Sequence, residues 1–142
     1  MDFKLEVLTL PVSDVDVAKD FYIATLGFTL DVDYRPNEGF RVVQVTPPGS
    51  ATSVQFGIGL TEAEPGSARS SYLVVADVVE ARNKLLARGA KASEIRHKYP
   101  LDTWSGEFMT GVEPNRSDYA SIFDVADPDG NTWLIQEIGH SL

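Results

Sequence analysis

Residues 10–28 read Leu10-Pro11-Val12-Ser13-Asp14-Val15-Asp16-Val17-Ala18-Lys19-Asp20-Phe21-Tyr22-Ile23-Ala24-Thr25-Leu26-Gly27-Phe28, and the rest of the chain is organised around what they specify. Ser13-Asp14-Val15-Asp16 offers a helix N-cap with an acid three residues on. Val15, Ala18, Phe21, Tyr22, Thr25 and Leu26 then recur at three- and four-residue spacing, and Gly27 stands where a left-handed cap stops the helix. Upstream, Leu5 to Pro11 alternates as a strand does. Downstream come β-rich stretches near 28–34, 39–46 and 52–58. They are separated by Arg35-Pro36-Asn37-Glu38-Gly39 and Pro47-Pro48-Gly49-Ser50, both of which are turn chemistry. The first half reads β-α-β-β-β.

The second half repeats that order. Tyr72 to Ala76 reads as a strand, Asp77 as a cap, Val78, Ala81, Leu85 and Leu86 as an apolar helix stripe, and Gly89 as the stop. Three strands follow, near 91–98, 119–126 and 131–138. The caps Asp14 and Asp77 are 63 residues apart, an offset that also aligns Val15 with Val78, Ala18 with Ala81 and Lys19 with Arg82. Neither half buries a core easily at that length. The expectation is therefore an α+β fold in one domain spanning residues 1–142, with module 1 at about 1–60 and module 2 at about 68–140. The paired βαβββ modules would form a curved mixed sheet around a cleft, with the helices outside.

Composition narrows the function. The chain has 142 residues, 43% of them hydrophobic and 23% charged, and no apolar run near the twenty needed to span a bilayer, so a soluble globular protein without a membrane partner is expected. Charges within Met1-Asp2-Phe3-Lys4-Leu5-Glu6 do not suit a signal peptide, and a cytoplasmic location is expected. A net charge of -9 repels phosphate backbones, which argues against nucleic acid and suits a cationic small molecule or simple solubility. Cysteine is absent, so thiolate catalysis, disulfides and sulfur-ligated zinc are excluded, and only His97 and His140 supply imidazole.

Two sets of residues carry a resemblance. Leu10-Pro11-Val12-Ser13-Asp14 runs into Phe21-Tyr22 and Leu26-Gly27-Phe28, and Asp127-Pro128-Asp129-Gly130 precedes Trp133-Leu134-Ile135-Gln136-Glu137. Alone, the first is helix core and the second a hairpin turn; in this order and spacing the chain resembles the vicinal oxygen chelate superfamily of glyoxalase, bleomycin-resistance and extradiol dioxygenase proteins. The resemblance implies paired βαβββ modules, and, in the metal enzymes of that group, one divalent ion held by His or Glu from the first and last strands of each module. Here those places fall on Val7, Gln55, Ser70 and Leu134. Val7 and Leu134 cannot donate, and Gln55 and Ser70 offer only neutral dipoles, so no metal and no other cofactor is expected.

If Val7 faces the cleft, alternation brings Thr9 with it; likewise Ser70 brings Tyr72 and Val74, and Leu134 brings Thr132 and Gln136. That set makes an apolar floor with a few hydrogen-bonding tips, as small-molecule pockets have. The competing outcome is that Val7, Tyr72 and Leu134 pack together and close the cleft. From Tyr99 to Asp118 runs a Pro-, Gly- and Asp-rich insertion of about twenty residues, a length at which loops without regular structure are lids, binding loops or disordered segments. It carries Trp104, Phe108 and Met109. Self-packing on the barrel is one use for them, but the resemblance implies a loop that overhangs the cleft, where Trp104 and Phe108 stack on a flat ligand. His97, between Arg96 and Lys98, reads as a solvated surface residue, although a general base is the functional alternative. His140 lies in a frayed tail, while Asp31, Asp33, Glu62 and Glu64 read as solvated charges.

The expected function is a non-catalytic binding protein that captures a hydrophobic, planar aromatic compound such as an antibiotic, in the manner the resemblance to bleomycin-resistance proteins implies. The expected ligand-binding residues are Val7, Thr9, Gln55, Ser70, Tyr72, Trp104, Phe108, Met109, Leu134 and Gln136. The alternative is an enzyme of the same superfamily, lyase or dioxygenase-like, either metal-free or with a displaced metal. A homodimer is expected because the family commonly pairs. A third possibility is a filled cleft on an interaction module.

Overall fold

The computed structural model describes residues 1–100 and 107–141. Among the described residues, ten strands form two mixed sheets, accompanied by two α-helices. By compactness the chain divides into one unit of residues 1–68 with 127–131, and another of 69–126 with 132–142.

In the first unit, β1 (Val7–Thr9), β2 (Thr29–Asn37), β3 (Phe40–Thr46) and β4 (Ser53–Ile58) form a sheet of order β1-β4-β3-β2, in which β1 is parallel to β4 and the other pairs are antiparallel. Helix α1 (Val15–Asp20) is capped by Asp14, whose carboxylate accepts the Val17 N–H at 3.2 Å. It does not run on as an α-helix to Leu26. Phe21–Thr25 is a π-turn, with Leu26 N donating to Phe21 O and Phe28 N to Tyr22 O, and Gly27 takes φ +78° beyond it. The widened turn lets Tyr22 sink completely into the core, its ring 5.8 Å from Phe28 and 5.4 Å from Phe56. Val43, Val45, Val54 and Phe56 supply the sheet side of that core.

On the same face, Arg41 binds Asp33 through two nitrogens, at 3.0 and 2.9 Å, and Asp16 at 2.8 Å, while Lys19 also reaches Asp33. Hydrogen bonds from Arg41 and then Lys19 hold the Asp33 carboxyl far below the usual carboxylate range. Asp33 is thus the centre of an ion-pair network and not the merely solvated charge expected from the sequence.

The sequence signals at Leu10–Asp14 and Asp127–Gly130 belong to one structure. The Tyr22 hydroxyl donates to Asp127 at 2.7 Å, and Asp127 also accepts from the Asn131 amide. Asn131 donates in turn to Pro11 O, and Asp129 accepts both the backbone N–H and the hydroxyl of Ser13. Gly66 completes the joint: its N–H binds Pro11 O, its φ is +81°, and a Cβ there would stand 2.1 Å from Asp129 O.

The second unit contains β5 (Ser71–Val75), β6 (Lys91–Ala92), β7 (Arg96–Tyr99), β8 (Glu107–Thr110), β9 (Ser121–Ala126) and β10 (Thr132–Glu137), in the order β5-β10-β9-β7-β8 with β6 also on β9. Helix α2 (Val78–Ala87) is capped by Asp77, which accepts from Val79 N and Glu80 N. The single strand expected at 91–98 is two, because the Ser93 hydroxyl accepts the Asp124 N–H and interrupts the ladder between β6 and β7. The insertion expected to lack regular structure contributes β8, which pairs antiparallel with β7. After it, the Glu113 carboxylate accepts the N–H groups of Asn115 and Ser117 and so shapes the return to β9.

A buried ion pair lies where α2 meets its sheet. Arg116 reaches fully buried Glu137 at 2.5 Å and Asp77 at 3.2 Å, while Glu137 also accepts the Val78 N–H. Among the described residues no helix is long and apolar enough to cross a membrane.

Candidate functional site

Register partners in a sheet share a face, so strand register determines which side chains stand together. In the first unit, Val7 pairs with Ser53 and Thr9 with Gln55, on the face away from Val43, Val45 and Phe56. Gln55 donates its side-chain amide to the Thr9 hydroxyl at 2.9 Å. Gln44, opposite Gln55, and Val32, opposite Gln44, continue this face to the edge strand. This face combines the Gln55–Thr9 hydrogen bond with exposed Val32 and, opposite Val42, exposed Tyr34.

The second unit presents a different face. Leu134 pairs with Tyr72, and Gln136 with Val74; next to them Asp124 pairs with Leu134, Arg96 with Ile122, and Phe108 with Lys98. Tyr72 is 60% exposed, Val74 56% and Phe108 46%, a concentration of uncovered apolar surface on one sheet. Arg96 lies 5.2 Å over the Phe108 ring and pairs with Asp124 at 3.2 Å, so its guanidinium is held between the ring and the carboxylate. Beside it a groove of about 410 Å³ is lined by Ile95, Arg96, Phe108 and Thr110.

The remaining candidates are distributed as follows. Gln136 is buried and donates its amide to Tyr119 O at 2.8 Å. Ser70, exposed just ahead of β5 with φ +61°, uses its N–H on the Thr132 hydroxyl. Met109 alternates away from Phe108 and stands opposite His97 on the other face of the hairpin. Trp104 lies outside the described residues.

Both histidines differ from expectation. His97 is buried, 9% exposed, with Nδ1 2.7 Å from Gly111 O, because strand alternation turns it inward while Arg96 and Lys98 face the opposite way. His140 is held by Ala76 O at 3.1 Å, and neighbouring Gly139 by the Asp118 carboxylate, so this part of the tail is docked. Sequence reasoning missed Arg96 and Asp124 as site residues. The signal available was their opposite charge on the same face as Tyr72, legible only once register is known.

At the four places to which the resemblance assigns metal ligands, Val7, Gln55, Ser70 and Leu134, the donor set does not suit an ion: two hydrocarbons, a committed amide and a hydroxyl. Ligand atoms of Asp77, Glu137 and His140 do lie within 4.8 Å of one another. The Arg116 guanidinium bridges Asp77 and Glu137, so that cluster already has its cation.

No curated protein matches the chain. Solved structures do. An antibiotic binding protein, TnmS3, from Streptomyces sp. CB03234 is 28% identical, with 96% of each chain covered and a TM-score of 0.72. A glyoxalase/bleomycin resistance protein from the same organism is also 28% identical, covering 94% of this chain and 100% of that one at a TM-score of 0.69. A member of the glyoxalase/bleomycin resistance protein/dioxygenase superfamily from Sphaerobacter thermophilus DSM 20745 is 28% identical over 96% of this chain and 98% of that one, with a TM-score of 0.73. The family model for that superfamily matches residues 4–135, nearly the whole paired β-α-β-β-β order, and the chain therefore belongs to the Glyoxalase/Bleomycin resistance protein/Dioxygenase superfamily.

Proposed function

We propose that this protein is a non-catalytic binder of hydrophobic, planar aromatic small molecules, antibiotics among them. The observation that carries the reading is the exposed face of the second sheet, where Tyr72, Val74 and Phe108 stand uncovered with half-buried Leu134, around an Arg96 already placed over a ring and ion-paired. An apolar wall with one oriented polar group is what a flat, weakly polar ligand needs: ring area to stack on, and a fixed donor for a carbonyl or phenolate oxygen. Pre-orientation by Asp124 lowers the ordering cost on binding. Similarity to an antibiotic binding protein supports the same class of ligand. In this reading the two units act as one domain in a cytoplasmic homodimer, which light scattering at micromolar concentration would test.

The deciding experiment is calorimetric titration with planar aromatic antibiotics, followed by mass spectrometry of the recovered compound. Sub-micromolar binding with the compound returned unchanged is expected. Chemical conversion, or no binding across the panel, would overturn the reading. Phe108→Ala should weaken capture at least tenfold, since a stacked aromatic anchor contributes on the order of 1–2 kcal/mol.

A further inference from the structure

The opposite face of the β7–β8 hairpin bears a second arrangement of groups. A cavity of about 590 Å³ opens there, walled by Tyr99, Met109 and Pro114 and lined also by His97, Lys98 and Glu113. Phe108 takes no part in it, since alternation directs that ring to the exposed face.

The imidazole in this cavity has a defined orientation and a defined open atom. A carbonyl only accepts, so Nδ1 of His97 carries the proton it donates to Gly111 O at 2.7 Å. Gly111 is fixed in turn by its N–H on Ile95 O at 2.8 Å. In its neutral form the ring then has its lone pair on Nε2. Among the described residues Nε2 has no hydrogen-bond partner, and none of their buried side-chain nitrogens is left without one, so this atom faces the cavity.

The charged groups around it restrict the ligand. Glu113 is 4% exposed; burial pushes its carboxyl up, but hydrogen bonds from Ser117 and Asn115, with His97 nearby, outweigh that and leave it below the ordinary range. An ionised Glu113 then lines this space, so an anionic ligand meets a like charge. An uncharged molecule does not.

We propose that this cavity is a second small-molecule site, distinct from the exposed aromatic face, which takes an uncharged planar aromatic bearing one strong donor, such as a phenolic hydroxyl that bonds to Nε2 of His97. The Met109 thioether and the Tyr99 ring supply soft, polarisable surface for the ligand's faces.

The test uses 2-naphthol and 2-methoxynaphthalene, which share a ring system but differ in the donor, on the full chain labelled with ¹⁵N-histidine. Saturable movement of the His97 Nε2 resonance by 2-naphthol, with at least fivefold weaker binding of the methoxy compound, is expected. Phe108→Ala should leave both results intact, and His97→Phe should weaken 2-naphthol binding at least fivefold. An unmoved Nε2 resonance, or equal affinity for the two probes, would overturn the proposal. The probe comparison is made on the unaltered chain and does not depend on any variant folding.

Discussion

The two repeats share an order of elements and a capping aspartate, but they are fastened by different chemistry and expose different faces. Beneath the first helix, the buried partner is a neutral tyrosine hydroxyl: Tyr22 donates to Asp127, and the Asn131 amide and backbone satisfy the rest of that carboxylate. Beneath the second, it is an ion pair, Arg116 with Glu137. The faces away from the helices differ likewise. Thr9 and Gln55 bond to each other on the first sheet, whereas Tyr72, the residue at the 63-residue offset from Thr9, stands exposed on the second. A repeated fold therefore does not repeat its chemistry: both sheets expose a tyrosine, but the first pairs Gln55 with Thr9 on that face, whereas the second sets an ion-paired Arg96 over the Phe108 ring.

The largest effect that separates the repeats should come from their fastenings. Glu137→Gln leaves Arg116 beside an uncharged amide in a buried setting and should cost about 3 kcal/mol or more in denaturant unfolding. Tyr22→Phe removes one donor from a carboxylate that keeps its asparagine partners, and should cost only about 1–2 kcal/mol. Equal losses would mean that the ion pair adds nothing beyond a hydrogen bond.

Acid provides the next distinction. Burial raises the Glu137 carboxyl, but the Arg116 hydrogen bond and the Val78 N–H reverse this and leave it below the ordinary value; Asp77 is lowered first by the Glu80 N–H, against some burial, and then by Arg116. A carboxylate whose folded pKa is depressed contributes stability that is present above its unfolded pKa of about 4 and is lost as pH falls through the folded value. Melting temperature should therefore drop as pH is taken from about 5 towards 3, and Glu137→Gln, which has already lost its titrating group, should drop less. A parallel decline in both proteins would remove Glu137 from the acid response.

The smallest effects concern the faces. With a planar aromatic ligand, Gln55→Ala should change affinity less than about twofold, because its amide is already engaged by Thr9 and contributes little beyond complementarity. Set against the tenfold loss at Phe108, this contrast places binding energy on the second sheet. A large loss at Gln55 would show that both faces serve the ligand.

Much of the fold was legible before any coordinate. The caps Asp14 and Asp77, the stops at Gly27 and Gly89, and seven of the strands follow from local rules, because caps need a short acceptor and left-handed ends need glycine. What escaped was decided at a distance. The π-turn at Phe21–Thr25 has no local cue; it exists where Tyr22 meets Phe56 and Asp127. The strand β8 hides in a segment rich in turn residues, since its pairing with β7 is set by partners and not by propensity.

The candidate site divides in the same way. The chain's residue types established that Val7, Gln55, Ser70 and Leu134 cannot form a divalent-metal site, because donor chemistry is a property of the side chain whatever surrounds it. They could not say that Phe108 and Met109 serve opposite faces, that His97 is buried with one nitrogen tethered, or that Arg96 sits over Phe108 while pairing with Asp124. Those facts are matters of register and alternation, in which a slip of one residue reverses every face, and register is fixed only by the strands that pair.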